Sequence, residues 1–378
     1  MIRTLLPLVL AGLCANAQFA AAQAKKATTP AKKTATAKKA AAPVRRAPPV
    51  DPTDGDNVDG EDLVVRRAAV AALGTTRGSV VVADPNTGRI LTMVNQKLGL
   101  QAGFTPCSTI KLVTSLAALN EHVVERDTVM HLSKTSSYTL TTAIAHSNNQ
   151  YFANLGNKLG FERVTRYAQM LGLGEKAGLD IPGELPGSII SAPPKGGSVG
   201  IMTSFGEGFL VTPLELTALV SSIANGGTLY YLQYPRSEGE VDHFEPKVKR
   251  TLDLAPQDFE DIKVGMRGAV AFGTATRASY DASEAVLGKT GTCTDFSSSS
   301  HMGWFGSYND VGNHQLVVVV MLAAVTKSVS GPVASGVAGA IYKALSEQRY
   351  FTAEAVEKRP TLPQILISTP TAALANKH

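Results

Sequence analysis

The sequence predicts an α+β domain: one central antiparallel sheet built from both ends of the chain, with helices set against it. Three observations predict it. Two β-branched runs joined by turn residues lie near residue 80. Three more apolar runs lie beyond residue 285. The long stretch between them carries helical apolar spacing punctuated by Gly and Pro. A chain of 378 residues, 44% hydrophobic, can build such a core without disulfide staples.

The elements follow in order. Residues 63–73 (LVVRRAAVAAL) read as a first helix. Residues 78–84 (GSVVVAD) form a strand, Pro85-Asn86-Thr87-Gly88 supplies turn chemistry, and residues 89–96 (RILTMVNQ) form the return strand. Helices are expected over 108–120, 141–158, 161–171, 212–225 and 256–271. Strands follow over 285–292, 301–308 and 315–325, giving five in all. The last, QLVVVVMLAAV, is apolar enough for a buried position. A helix over 331–348 closes a domain spanning 61–349, and residues 350–378 look like a weakly ordered tail.

The N-terminus has a different character. Residues 1–22 read as an export signal, with Arg3, an apolar core from Leu5 to Leu13, and Ala15-Asn16-Ala17 as a small-x-small cleavage pattern. The apolar run falls short of the roughly 20 residues that span a membrane. Residues 4–24 nevertheless carry no charge, so an uncleaved anchor stays open, although the lysines just after it oppose that orientation. Cys14 is a poor lipidation site because bulky Leu13 precedes it. Residues 23–60 are rich in Ala, Lys, Thr and Pro, then Pro and Asp, and read as a flexible tether.

Nine of the 36 basic residues are Arg3 and eight within residues 25–46; the remainder leaves 27 basic against 31 acidic residues. The folded part is therefore slightly acidic, which argues against a nucleic-acid footprint. The basic segment reads as a solvated linker. Contact with anionic phospholipid or wall polymer is the alternative.

The chemistry points to acyl transfer, which needs a nucleophile, a base, a proton route to the leaving amine and donors for an oxyanion. A Ser-His-Asp site finds no support: His122 and His131 sit in polar segments, and no Gly-x-Ser-x-Gly elbow occurs. Instead, Pro106-Cys107-Ser108-Thr109-Ile110-Lys111 opens a helical run. Ser108 and Lys111, three apart, share one helix face. Lysine can serve as base only when neutral, and burial with a second nearby cation would make it so. Ser-x-x-Lys alone is weak, arising by chance about once in 250 residues. Ser147-Asn148-Asn149, expected within a helix, offers a hydroxyl and an amide two apart; by itself it reads equally as a cap. Gly288-Lys289-Thr290-Gly291-Thr292 lies in an expected strand, where glycine allows close approach. Lys289 supplies the second cation, and Thr290 and Thr292 supply hydroxyls.

Taken in order, Ser-x-x-Lys, Ser-x-Asn and Lys-Thr-Gly are far more specific than any one alone. With them, the chain resembles the transpeptidase domain of class B penicillin-binding proteins, within the penicillin-binding protein and serine β-lactamase superfamily. The likeness runs over about residues 78–345. It includes GSVVVADPNTGRIL, SNNQYFANLGNKLGFERVTRYAQMLGLGEKAGLDIPGE, FGEGFLVTPLELTALVSSIANGG and HMGWFGSY.

The resemblance implies a β-lactamase/transpeptidase-like fold, with a five-stranded sheet, flanking helices and an all-helical subdomain. It implies that Ser108 forms an acyl-enzyme with D-Ala-D-Ala stem peptides of peptidoglycan, and with β-lactams. Lys111 would take the Ser108 proton, Ser147 would pass a proton to the leaving nitrogen, and Asn149 would bind the peptide carbonyl. Lys289, Thr290 and Thr292, around Gly291, would hold the terminal carboxylate. The N–H groups of Ser108 and Thr292 would form the oxyanion hole. No metal or organic cofactor is implied. If those two donors converge, their neighbours Cys107 and Cys293 come close enough for a disulfide. The family usually adds a clear membrane anchor and a pedestal domain, where this chain shows a signal-like start and a short tether. A D,D-carboxypeptidase, a class D-like β-lactamase and a non-catalytic β-lactam sensor or wall-binding module remain alternatives. Against the second, no Glu-x-x-Leu-Asn is present, and Asn149 departs from the Ser-x-Val of class D enzymes.

Overall fold

The computed structural model describes residues 51–194, 198–295, 299–311 and 314–352. The export signal 1–22, the tether up to residue 50 and the tail from residue 353 lie outside the described residues.

The elements that build the site are α1 (Leu63–Leu73), β1 (Gly78–Ala83), β2 (Ile90–Val94), α2 (Lys111–Asn120), α3 (Leu140–Ala145), α4 (Asn149–Leu159), α5 (Phe161–Met170), α6 (Val199–Phe205), α7 (Pro213–Ala224), α8 (Pro256–Ala271), β3 (Val286–Thr294), β4 (His301–Asn309), β5 (Val317–Ala324) and α9 (Gly331–Glu347). The strands form one antiparallel sheet in the order β2-β1-β5-β4-β3, so early and late strands of the domain pair at β1 and β5.

Strand β5 explains the layering. Val317, Val319 and Met321 join the core formed with Leu112 and Leu116 of α2 and Leu216 and Val220 of α7. Val318, Val320 and Leu322, one residue out of phase, join Val65 of α1 and Ile341 and Leu345 of α9. With both faces covered, the strand is apolar throughout rather than alternating. Each valine so buried contributes roughly 1.5–3 kcal/mol. Local signals set the helix ends. Asp62 caps α1 by accepting from Val64 N and Val65 N. In α7, Pro213 starts the helix and Thr212 and Glu215 form a reciprocal capping box. Among the described residues no helix is long and apolar enough to cross a membrane.

Four expectations change. The helix expected over 108–120 begins as a 3₁₀ turn, Cys107–Ile110, before α2 takes over. The helix expected over 141–158 is two helices, α3 and α4, with a break at residues 146–148. Residues 51–60, assigned to the tether, are tied to the fold. Asp56 accepts from Arg66 at 2.8 Å, Asn95 N at 3.0 Å and Gln96 N at 2.8 Å. The Asp56 carboxylate is bound by these three donors, whereas Asp51, Asp54 and Asp59 stay exposed. At the other end Tyr350 and Phe351 are buried, and Tyr350 Oη donates to Asp62 at 2.8 Å.

Candidate active site

Ser108 lies in the 3₁₀ turn that leads into α2. The turn opens at Cys107, whose φ of 53° is left-handed, a region that L side chains seldom occupy. Three residues on, Lys111 returns to the same face, and its Nζ lies 3.0 Å from Ser108 Oγ. Ser108 is 9% exposed, whereas Lys111 is fully buried. The hydroxyl thus keeps an opening that the amine does not.

Ser147 occupies the break between α3 and α4, again with a left-handed φ of 54°. The break is closed by Ser147 N donating to Ile144 O and Asn148 N to Ala143 O. Asn148 then caps α4, its Oδ1 accepting from Tyr151 N at 2.8 Å. This turn presents the Ser147 carbonyl to Lys111.

Lys111 Nζ meets Ser147 O at 2.7 Å, Asn149 Oδ1 at 2.6 Å, and Ser147 Oγ and Ser108 Oγ at 3.0 Å each. Two of these four, the carbonyl of Ser147 and the amide oxygen of Asn149, can only accept. A neutral amine has two N–H bonds and one lone pair. Its two donors satisfy those oxygens, and the lone pair is left for the hydroxyls. Burial first, and the Lys289 charge second, push the Lys111 pKa down to about 5. The Phe152 ring, 5.5 Å from Nζ, would favour the charged form but does not outweigh burial. At neutral pH the Lys111 amine is therefore able to accept a proton.

Lys289 reaches the same hydroxyl from β3. Its Nζ donates to Ser147 Oγ at 2.8 Å and to Thr290 O at 2.9 Å. It is fully buried, and burial lowers its pKa to about 7. Ser147 Oγ so bridges two amines that have both been drawn toward the neutral form. Strand β3 is the edge of the sheet, and it packs on the 3₁₀ turn that carries Ser108. A Cβ added at Gly291 would meet Pro106 O at 2.9 Å and Cys107 Cβ at 3.2 Å, so the approach needs glycine. Thr290 is buried, and Thr292 is exposed with its Oγ1 accepting from Gly331 N at 2.8 Å. Cys107 and Cys293 are joined by a disulfide with Cα atoms 5.5 Å apart, across 186 residues. The sequence-predicted residues thus come together from the 3₁₀ turn, the first residue of α2, the α3–α4 break, the first residue of α4, and β3.

Three neighbours escaped the sequence reading. Thr274 Oγ1 lies 2.6 Å from Thr290 Oγ1. Ser204 O, at the end of α6, lies 3.4 Å from Ser108 Oγ. Phe152 lies under Lys111. Of the three, Phe152 alone had a sequence signal: it follows Asn149 by three residues, one turn along the same helix.

Residues 78–346 match the family described as the penicillin binding protein transpeptidase domain. Stage V sporulation protein D of Bacillus subtilis is 29% identical over 254 residues, covering 60% of this chain and 39% of the relative. Peptidoglycan D,D-transpeptidase MrdA of Haemophilus influenzae is 24% identical over 339 residues, covering 69% of this chain and 52% of the relative. The chain thus spans about half of these relatives or less. The transpeptidase domain of Burkholderia pseudomallei penicillin-binding protein 3 superposes with a TM-score of 0.65 at 20% identity, over 76% of this chain and 94% of that one. Pseudomonas aeruginosa PBP2, solved with WCK 5153, gives 0.65 at 23% identity, over 78% and 79%. At such identities the likeness to solved structures is one of fold, and it agrees with the five-stranded α+β architecture. The sequence match, by contrast, runs from β1 into α9, and by it the chain belongs to the penicillin-binding protein transpeptidase domain family.

Proposed function

We propose that the chain is an exported serine D,D-transpeptidase that acts on D-Ala-D-Ala stem peptides of peptidoglycan and is inhibited by β-lactams. One observation carries the reading: a fully buried Lys111, its two N–H bonds taken by carbonyl oxygens, beside a partly open Ser108.

In this reading neutral Lys111 takes the Ser108 proton as Oγ bonds to the penultimate D-Ala carbonyl carbon. The backbone N–H groups of Ser108 and Thr292 receive the oxyanion; one such donor is worth roughly 3–4 kcal/mol. The C–N bond breaks, and the proton passes through Ser147 to the leaving D-Ala nitrogen. An acceptor amine then displaces Ser108 Oγ, which recovers its proton. Lys289, with Thr290 and Thr292, holds the terminal carboxylate, and Asn149 binds the peptide carbonyl. A β-lactam enters the same path, but its leaving nitrogen stays tethered. Among the described residues no carboxylate hydrogen-bonds with Ser108, Lys111, Ser147 or Lys289. That favours a long-lived adduct over turnover. Arg3 followed by the uncharged stretch 4–24, together with the disulfide, supports export to the periplasm or cell envelope.

Intact-protein mass spectrometry after benzylpenicillin tests the reading. The wild type gains one benzylpenicillin mass, and Ser108→Ala gains none. An unmodified wild type, or a modified Ser108→Ala, overturns it. A pentapeptide with and without an acceptor amine separates transfer from hydrolysis.

A further inference from the structure

We propose that the Cys107–Cys293 disulfide is a positioning clamp for acylation, and that thiol–disulfide exchange with a dithiol reductant turns acylation down. The proposal rests on the reading of Ser108 as the acylated serine and adds a regulation to it.

Position is the first argument. Each cysteine is the chain neighbour of a proposed oxyanion donor: Cys107 precedes Ser108, and Cys293 follows Thr292. The bond holds their Cα atoms 5.5 Å apart and joins the nucleophile turn to the edge strand. The donors must converge on one oxygen, so the spacing across this seam sets the geometry of the oxyanion site.

What else holds the seam is the second argument. Trp304 Nε1 donates to Thr105 O at 3.0 Å, and Thr105 Oγ1 donates to Asp295 Oδ1 at 2.9 Å; both contacts are buried. They pin residues 105 and 295, outside the pair of cysteines. Cys107 itself sits in the left-handed region, which is uncomfortable for an L side chain. With the bond cut, the outer contacts keep strand and turn together. The inner residues gain freedom to relax, Ser108 among them.

Access is the third argument. Cys107 is fully buried, whereas Cys293 is half-buried between exposed Thr292 and Thr294. A thiolate of the reductant attacks Cys293 Sγ, the S–S bond breaks, and Cys107 leaves as thiolate and takes up a proton. The second thiol of the reductant displaces Cys293 from the mixed disulfide. The reductant emerges as a disulfide and the protein carries two thiols, a two-electron, two-proton exchange.

The test is pre-steady-state acylation by a chromogenic β-lactam, at a temperature where circular dichroism shows both redox forms folded. Reduction with dithiothreitol, verified by two titratable thiols, is expected to lower the acylation rate constant about tenfold, a fraction of the loss on removing an oxyanion donor. The dissociation constant before acylation should stay within about twofold. Reoxidation should restore the rate. The double variant Cys107→Ser/Cys293→Ser should show the lowered rate and ignore dithiothreitol. An unchanged rate constant in the verified reduced form overturns the clamp, as does a change confined to the dissociation constant. Failure of the oxidised protein to acylate at all overturns the Ser108 reading, and the clamp with it.

Discussion

Two buried cationic clusters among the described residues are wired in opposite ways. Behind the sheet, Arg66 of α1 donates to Asp56 at 2.8 Å and to Glu61 at 2.9 Å. Glu61 also accepts from Thr92 Oγ1 at 2.7 Å and Met93 N at 2.9 Å. Burial pulls the Arg66 pKa down, but Asp56 and Glu61 outweigh it and the net shift is upward. In the cleft, Lys111 and Lys289 are buried with hydroxyls and carbonyls around them, and both are driven down. A buried cation given carboxylates stays charged and staples segments together. A buried cation given only neutral acceptors gives up its proton and becomes a reagent.

The sharpest way to break this contrast is Arg66→Met. It strands Asp56 and Glu61 without their cation and should cost about 3–5 kcal/mol in urea unfolding. Acylation per folded molecule should not change. A cost below about 1 kcal/mol would mean that this cluster is no staple. Next comes Lys289→Met, read as the pH profile of the second-order acylation rate. In the wild type the rate should rise with pH as Lys111 loses its proton at about 5, then fall as Lys289 loses its charge at about 7. The variant should lose the falling limb. Its rising limb should move to higher pH, because the Lys289 charge no longer depresses Lys111. Between the two limbs its rate should be lower by about a hundredfold, the scale of one well-placed catalytic group. A rising limb that stays put would assign the Lys111 shift to burial alone. The smallest effect belongs to Thr274→Val. Removing the partner of Thr290 Oγ1 should raise KM about fivefold with kcat nearly unchanged, the worth of one hydrogen bond. Thr274→Ser should restore it.

Much of the fold and site is legible in the sequence. Turn residues at Pro85–Gly88 and β-branched runs on either side mark β1 and β2, and the unbroken apolar run marks β5. Ser108, Lys111 and Lys289 stand in short motifs whose spacing follows helix and strand geometry. What escapes a sequence reading depends on contacts between distant segments. No Gly or Pro in Ala145-His146-Ser147-Asn148 announces a helix break, and the backbone there turns where Lys111 takes up the carbonyl. Asp56 reads as solvated because its partner, Arg66, belongs to a helix. Thr274 meets Thr290 only through folding, and the Ser204 contribution is a main-chain oxygen that no motif can encode.

The Ser147 carbonyl has a consequence for heredity. One of the two oxygens that hold Lys111 belongs to the backbone, so no codon change at position 147 deletes it while the turn survives. In the proposed reading, a change at position 147 that removes the hydroxyl would slow proton delivery, yet leave the base in its seat. Variation in this cleft should therefore accumulate around the amine before it displaces it.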